Sequence, residues 1–300
     1  ETMARLIARR AQCPGGRMAI INLCDGTETD GYAGITAVAA LESHRLAFTG
    51  ADRFFYDLTT SKPELKRALQ ARDVQTAVFC ELRPETLEAD MQRAAEVVGF
   101  PMIVKPAVSY ASLAISDTSV VHDVAAGVAQ ARRVMEATDG GVFVETFLSG
   151  REYTVLVTGS AAQGTEVYAA AERVFDMTLP VEQRMLAYDR YWFGYDLSGA
   201  PPDPNTLVCQ YALAPAVLQK QLQDLARAAY LACGGTGYGR VDIRQRTESL
   251  TSEPVVLEVN ANCGLSFGPG CTSSVAEIIH LSGADESVFI RGLLKFAAGR

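Results

Sequence analysis

The sequence predicts an α/β protein assembled from α+β subdomains, on three observations. From residue 18 onward, apolar runs ending in Asp-Gly or Pro alternate with segments of helical spacing. The order strand, helix, strand over residues 18–50 makes an α/β unit. Further along, "GYGRVDIR" and "EPVVLEVN" flank the polar turn "QRTESLTS", the pattern of an antiparallel hairpin.

Each element has a local reason. "MAIINLCDG" (18–26) is an apolar run closed by a turn, "GITAVAALESHR" has helical spacing, and "LAFTGAD" is a short strand and turn. "SKPELKRALQAR" sets Ser before a Pro in the first turn, a good helix start. A helix over about 85–98 leads into the buried strand "GFPMIVKPA". "LAISDTSVVHD" reads as a strand and connection, with a helix over 123–138 after it. "GVFVETFLSGREYTVLVTG" carries two strands broken at Leu148-Ser149-Gly150, and the prolines of "SGAPPDPN" mark a loop. A helix over 215–232 precedes "GGTGYG" and the hairpin.

Composition narrows the function. With 300 residues, 48% hydrophobic and 21% charged, the chain has the make-up of a globular protein with two or three cores. A net charge of −8 argues against nucleic acid or a membrane surface as partner. No apolar run reaches the ~18 residues of a membrane helix, and "ETMARLIARR" lacks a signal-peptide core. A chain beginning on Glu is expected to be the remainder of a longer one. Seven scattered cysteines without C-x-x-C, and three distant His, exclude a recognisable zinc site and fit a reducing, cytoplasmic compartment. "GGTGYG" is not G-x-G-x-x-G and precedes a strand, and no G-x-x-x-x-G-K-[ST] occurs, so dinucleotide and P-loop sites are not expected.

The hairpin holds the densest candidate chemistry. Centred near residue 250, it sets Asp242 opposite Glu258 and Arg240 opposite Asn260. Val241 and Ile243 then share the other, buried face with Leu257 and Val259. Opposed carboxylates repel, which a divalent cation between them would relieve. Asp, Glu and Asn oxygens are hard ligands suited to Mg²⁺, and Arg240 beside them suits a phosphoryl group. A solvated polar face is the plain alternative. Only five of the 27 basic residues are Lys. Lys105 ends the apolar strand "PMIVKPA", as an anion contact or a snorkelling side chain. Lys62 sits in the first turn of a helix, where a cation opposes the dipole, so an anion is a plausible reason for it.

In sequence order, Lys62, "IVKP", "VETFLSGRE" and "GRVDI…LEVNANCGL" resemble the ATP-grasp superfamily, and within it the D-alanine–D-alanine ligase type. "CDGTETDGYAGITAVAALESHRLAFTGA" resembles the end of that family's first domain, and the similarity runs from about Asn22 to about residue 290. The resemblance implies an ATP-grasp fold with the nucleotide between two subdomains. The expected division is an N-terminal α/β remnant over 1–60, a central subdomain over 61–148 and a C-terminal one over 149–300. It places Lys62 and Lys105 on the phosphates of ATP, Glu145 and the backbone at Leu148 on adenine, and Glu152 on the ribose. Asp242, Glu258 and Asn260 would hold Mg²⁺, with Mn²⁺ as a second candidate, and Arg240 and Ser112 would serve the phosphoryl transfer. Gly264, Leu265 and Tyr188 would meet the substrate.

The implied reaction joins a small carboxylate to an amine, both expected to be amino acids, through an acyl phosphate, giving ADP, phosphate and an amide. A non-catalytic ATP-binding regulatory module and a carboxylate kinase stay open as alternatives, as does a homodimer. The chain departs from the family pattern in three places. The loop after "KP" reads "AVSYASLAIS", with Ser109 and Ser112 but no glycine. In "AYDRYWFGYD", Trp192 or Phe193 stands where the substrate-covering loop carries Lys. The N-terminal glycine-rich strand and turn have no counterpart.

Overall fold

The computed structural model describes residues 2–13, 18–26, 32–108, 114–139, 141–186, 209–268 and 273–299. After helix α1 (Thr2–Gln12), strand β1 (Ala19–Ile20), helix α2 (Ile35–Ser43) and strand β2 (Ala47–Phe48) form a parallel β-α-β unit. The strands are shorter than the apolar runs that announce them. Helices α3 (Arg53–Thr60) and α4 (Lys62–Gln70) come next, hinged at Ser61. Asp52 caps α3 by accepting from Phe55 N at 2.9 Å.

A four-stranded antiparallel sheet is built in the order β3 (Phe79–Leu82), β6 (Val142–Thr146), β4 (Met102–Pro106), β5 (Val120–Val121). Helices α5 (Leu87–Val97) and α6 (Val124–Ala137) pack on it through Met91, Ala94, Val128, Ala131 and Val134. The expected strand at "LAISDTSVVHD" shrinks to Val120–Val121, because Ser116 and Ser119 bond each other's backbone and wind Asp117–Ser119 into a 3-10 turn.

The larger, six-stranded sheet runs β10 (Cys209–Leu213), β9 (Ala171–Phe175), β7 (Glu152–Ser160), β11 (Tyr238–Gln245), β12 (Pro254–Ala261), with β8 (Gly164–Val167) also on β7. Strand alternation sorts its two faces. Tyr153, Val155, Val157, Val241 and Ile243 enter the main core with α2, α3, α4 and helix α7 (Ala216–Ala232). On the other face, Leu156 packs with helices α8 (Ser274–Leu281) and α9 (Glu286–Ala298) through Ile278, Phe289 and Leu293. Glu152, Thr154, Arg240, Asp242 and Arg244 share that second face. No helix among the described residues is long and apolar enough to cross a membrane.

Candidate active site

The β11–β12 hairpin has the register that alternation demands, with Arg240 opposite Asn260 and Asp242 opposite Glu258. It then slips: Ile243 faces Val256, and Leu257 is the extra residue of a bulge. The expected pairing of Ile243 with Leu257 is thereby corrected. Its physical cause lies outside the hairpin, where residues 75–76 lie against β12. Val256 N donates to Gln75 O (2.9 Å) and Thr76 Oγ1 donates to Val256 O (2.7 Å).

Around the opposed carboxylates the protein supplies its own cations. Arg240 grips Asp242 through Nε to Oδ1 (3.0 Å) and Nη2 to Oδ2 (2.9 Å). Arg173 Nη2 (3.2 Å) and the Thr154 hydroxyl (2.7 Å) also donate to Oδ1, and Asn260 Nδ2 donates to Oδ2 (3.1 Å). Glu258 receives Asn260 Nδ2 at 3.3 Å and faces Lys62 Nζ at 3.5 Å. Burial pushes the Glu258 carboxyl up, but Lys62, Arg240 and Lys105 outweigh it and hold it down at about 2. The repulsion expected to need a divalent cation is thus met by two arginines and a lysine.

Lys62 and Lys105 are brought together by backbone pairing. Lys62 N donates to Ala107 O at 2.9 Å, and Ser61 bridges Val108 just beyond β4. Lys105 Nζ donates to Glu145 Oε1 at 2.6 Å across the β4–β6 pair. Lys66, one turn after Lys62, lies 2.6 Å from Glu145 Oε2 as a close ion pair without hydrogen-bonding geometry. It also donates to Thr76 Oγ1 (2.9 Å) and to Leu257 O of the bulge (3.2 Å).

These contacts bear on the expected nucleotide-binding carboxylates. The resemblance sets Glu145 at adenine and Glu152 at ribose, yet neither offers an open carboxylate. Glu145 is 1% exposed and enclosed by two lysines. Glu152 is buried, accepting from Arg173 Nη1 at 2.6 Å and Arg244 Nη1 at 3.3 Å. Ionised carboxylates removed from water need such partners. Leu148 is buried too, its side chain packed with Ala77 and Val255. Gly264 is exposed at the turn after β12, and Leu265 leans partly buried on the core of α8 and α9. Ser112 and Tyr188, with the rest of residues 109–113 and 187–208, lie outside the described residues.

The residues missed by sequence reasoning are Lys66, Arg173, Thr154 and Arg244. The scarcity of lysine could have flagged Lys66. Thr154 is two residues from Glu152 on one strand, a spacing that puts both on one face. Arg173 and Arg244 carried no sequence signal beyond alternation.

Magnesium fits this donor set by chemistry. Glu258 is held ionised, and since Asn260 turns its Nδ2 to the carboxylates, a cation would meet its Oδ1. Asp242 would join only on giving up part of its arginine grip. Among the described residues, no group of three His, Cys, Asp or Glu stands ready to hold a metal. Three of the described thiols are poorly suited to act as nucleophiles: burial pushes Cys209 up to about 11, and Cys233 and Cys263 up to about 12.

Comparison with known proteins agrees with this architecture. A family model described as D-ala D-ala ligase C-terminus matches residues 68–295. The D-alanine–D-alanine ligase of Bordetella petrii is 28% identical over 231 residues, covering 77% of this chain and 63% of that protein. That of Ralstonia nicotianae is also 28% identical, covering 77% and 62%. The chain therefore spans somewhat less than two thirds of these relatives. Among solved structures, the D-alanine–D-alanine ligase of Coxiella burnetii superposes with a TM-score of 0.69 at 18% identity, over 95% of this chain and 71% of that one. The VanG D-Ala:D-Ser ligase of Enterococcus faecalis gives 0.68 at 17%, over 93% and 72%. The Bacillus anthracis D-alanine–D-alanine ligase complexed with ATP gives 0.64 at 18%, over 87% and 74%. The fold is ATP-grasp.

Proposed function

We infer, for a chain that belongs to the D-ala D-ala ligase C-terminus family, that it is an ATP-dependent carboxylate–amine ligase acting on amino acids. The observation that carries this is the meeting of Lys62 and Lys105 with Glu258 and Asn260 where the two larger sheets approach. Two lysines from α4 and β4 suit phosphate oxygens, and the ionised Glu258 with the Asn260 oxygen suits a hard cation. Support for ATP comes from a relative of the same fold whose structure is complexed with ATP. The free thiols of the described cysteines fit a cytoplasmic setting.

In the proposed reaction, a substrate carboxylate oxygen attacks the γ-phosphorus and ADP leaves. The amine nitrogen then attacks the acyl carbon, phosphate departs, and the nitrogen gives up a proton to leave an amide. Mg²⁺, held by Glu258, Asn260 and Asp242, would neutralise phosphate charge. Arg240 would stabilise the phosphoryl group in transfer, with Asp242 keeping its guanidinium in place. Lys62 and Lys105 would hold the nucleotide phosphates. Ser112 is proposed to join the transfer, and Tyr188, Gly264 and Leu265 to meet the amino acids. With Glu145 and Glu152 enclosed, adenine and ribose recognition would fall to the backbone at Leu148 and to its neighbours.

The test is ADP and phosphate release with Mg-ATP and amino acids offered singly and in pairs, with Glu258→Ala as control. Release that needs two amino acids and disappears in the variant is expected. Release with one carboxylate alone would make the protein a kinase. ATP binding without turnover in any pair would overturn the ligase assignment.

A further inference from the structure

Lys66 is 1% exposed, beneath the site, and too enclosed to touch a ligand. Its ammonium faces three acceptors: a carboxylate oxygen of Glu145, the oxygen of Thr76 and the carbonyl of Leu257. The Thr76 hydroxyl hydrogen is already committed to Val256 O, so its oxygen can only accept from Lys66. Two N–H bonds go to Thr76 and Leu257, so a neutral amine would turn its lone pair toward the Glu145 carboxylate 2.6 Å away, whereas the protonated amine turns its charge there. Lys66 therefore carries its charge even though burial, partly offset by Glu145, draws its basicity below the usual lysine range.

Lys66, Glu145 and Lys105 thus form a buried row of two positive charges and one negative. Only Lys105, at 15% side-chain exposure, reaches toward the surface. Without Lys66, Glu145 would neutralise Lys105 completely. With it, the carboxylate is shared and one positive charge is left over at the exposed end of the row.

We propose that Lys66 is a positioning residue for nucleotide binding: by occupying one oxygen of Glu145, it keeps the Lys105 ammonium available to phosphate. The proposal rests on the nucleotide site proposed above. It is set apart from simple anchoring of α4 to β12 by its charge logic. Anchoring depends on the Lys66 contacts themselves, whereas the proposed role depends on the balance with Glu145.

The experiment measures dissociation constants for ATP and for adenosine on the 300-residue chain and on Lys66→Met, Glu145→Gln and the double variant. Lys66→Met is expected to weaken ATP roughly tenfold, the order expected for one charge at a few ångströms, and to leave adenosine unchanged. Adding Glu145→Gln to Lys66→Met restores the leftover charge and should recover ATP affinity. Unchanged ATP affinity in Lys66→Met, or no recovery in the double variant, would overturn the proposal while leaving the ligase assignment intact. Should Lys66→Met fail to fold, Glu145→Gln alone decides. ATP binding at least as tight as in the parent supports the proposal, and weaker binding overturns it. A parent chain that binds no nucleotide overturns both.

Discussion

Asp242 and Glu258 stand directly opposite each other on adjacent antiparallel strands, and Arg240, Arg173 and Lys62 hold them there. The pair is therefore stable without a ligand, yet unequally prepared for one. Asp242 is 2% exposed and ringed by donors, whereas the Glu258 side chain keeps 28% exposure. Glu258 is the carboxylate turned to the site, and Asp242 chiefly orients Arg240.

Because Asp242 depends on Arg240 so heavily, removing the arginine should be costly. Arg240→Met leaves Asp242 short of its bidentate partner and should lower unfolding free energy by about 3 kcal/mol, as for one-sided loss of a buried ion pair. Adding Glu258→Gln takes away the opposing charge and should return part of that loss. Urea unfolding of the two single variants and the double would show it as a positive coupling. Strict additivity would mean that the two carboxylates do not repel across the strands.

The hairpin was legible because its alternation and polar turn are local. The parts that eluded reading depend on partners far along the chain. The bulge at Leu257 arises from residues 75–76, some 180 positions away. Glu145 and Glu152 look like ordinary strand-face carboxylates until α4 brings Lys66 and β9 brings Arg173 against them. Lys66 is placed among Leu65 and Leu69 on the buried side of α4, where a sequence pattern suggests a solvated lysine. Its acceptors come from β6, residue 76 and β12, so only the assembled fold reveals them.

A second prediction concerns pH. Asp90 of α5 is 2% exposed and accepts from Arg83 Nε (3.0 Å), Arg83 Nη2 (3.0 Å) and the Thr86 hydroxyl (2.8 Å). The Arg83 bonds hold its carboxyl well below the usual aspartate range, against burial, which pushes it up. A carboxylate with a depressed folded pKa stabilises the protein above its unfolded pKa, and that stability fades as pH falls toward the folded value. Asp90→Asn should therefore cost about 2 kcal/mol at neutral pH. The gap between variant and parent should hold down to about pH 5 and narrow below about pH 4. Melting curves across that range test it, and a gap that widens in acid would refute the assignment.

Arg244 makes a third case, in which charge is not enough. Its guanidinium donates to Gly150 O (3.0 Å), Arg184 O (2.7 Å) and Glu152 (3.3 Å) and lies over the Phe147 ring, 5.7 Å from the centroid. One planar fork thus ties β11 to the β6–β7 turn and to residue 184. Lysine keeps the charge but cannot span these acceptors. Arg244→Lys should lose roughly 1–3 kcal/mol and make the chain more open to proteolysis next to residue 184. Parent-like protease resistance would show that the fork is dispensable.

The glycines of "GGTGYG" supply the last prediction, since they prove to be packing residues. Gly237 has φ +73°, and a Cβ there would lie 2.1 Å from Gly50 O. Gly50 has φ +94°, and its Cβ would lie 2.1 Å from Asn262 Oδ1. That same Asn262 oxygen accepts from Ala51 N at 2.6 Å. The turn after β2 is therefore held at one point between the backbone just before β11 and the Asn262 side chain just after β12, next to the Asn260 end of the site. Gly237→Ala and Gly50→Ala should each lower stability by about 2 kcal/mol or more, since both combine a strained φ with a clash. Either change would push the β2 turn off its neighbours. The double variant should then cost less than the sum of the two, because the second alanine enters a contact already opened. Full additivity in denaturant unfolding would mean that the two clashes are relieved by separate movements.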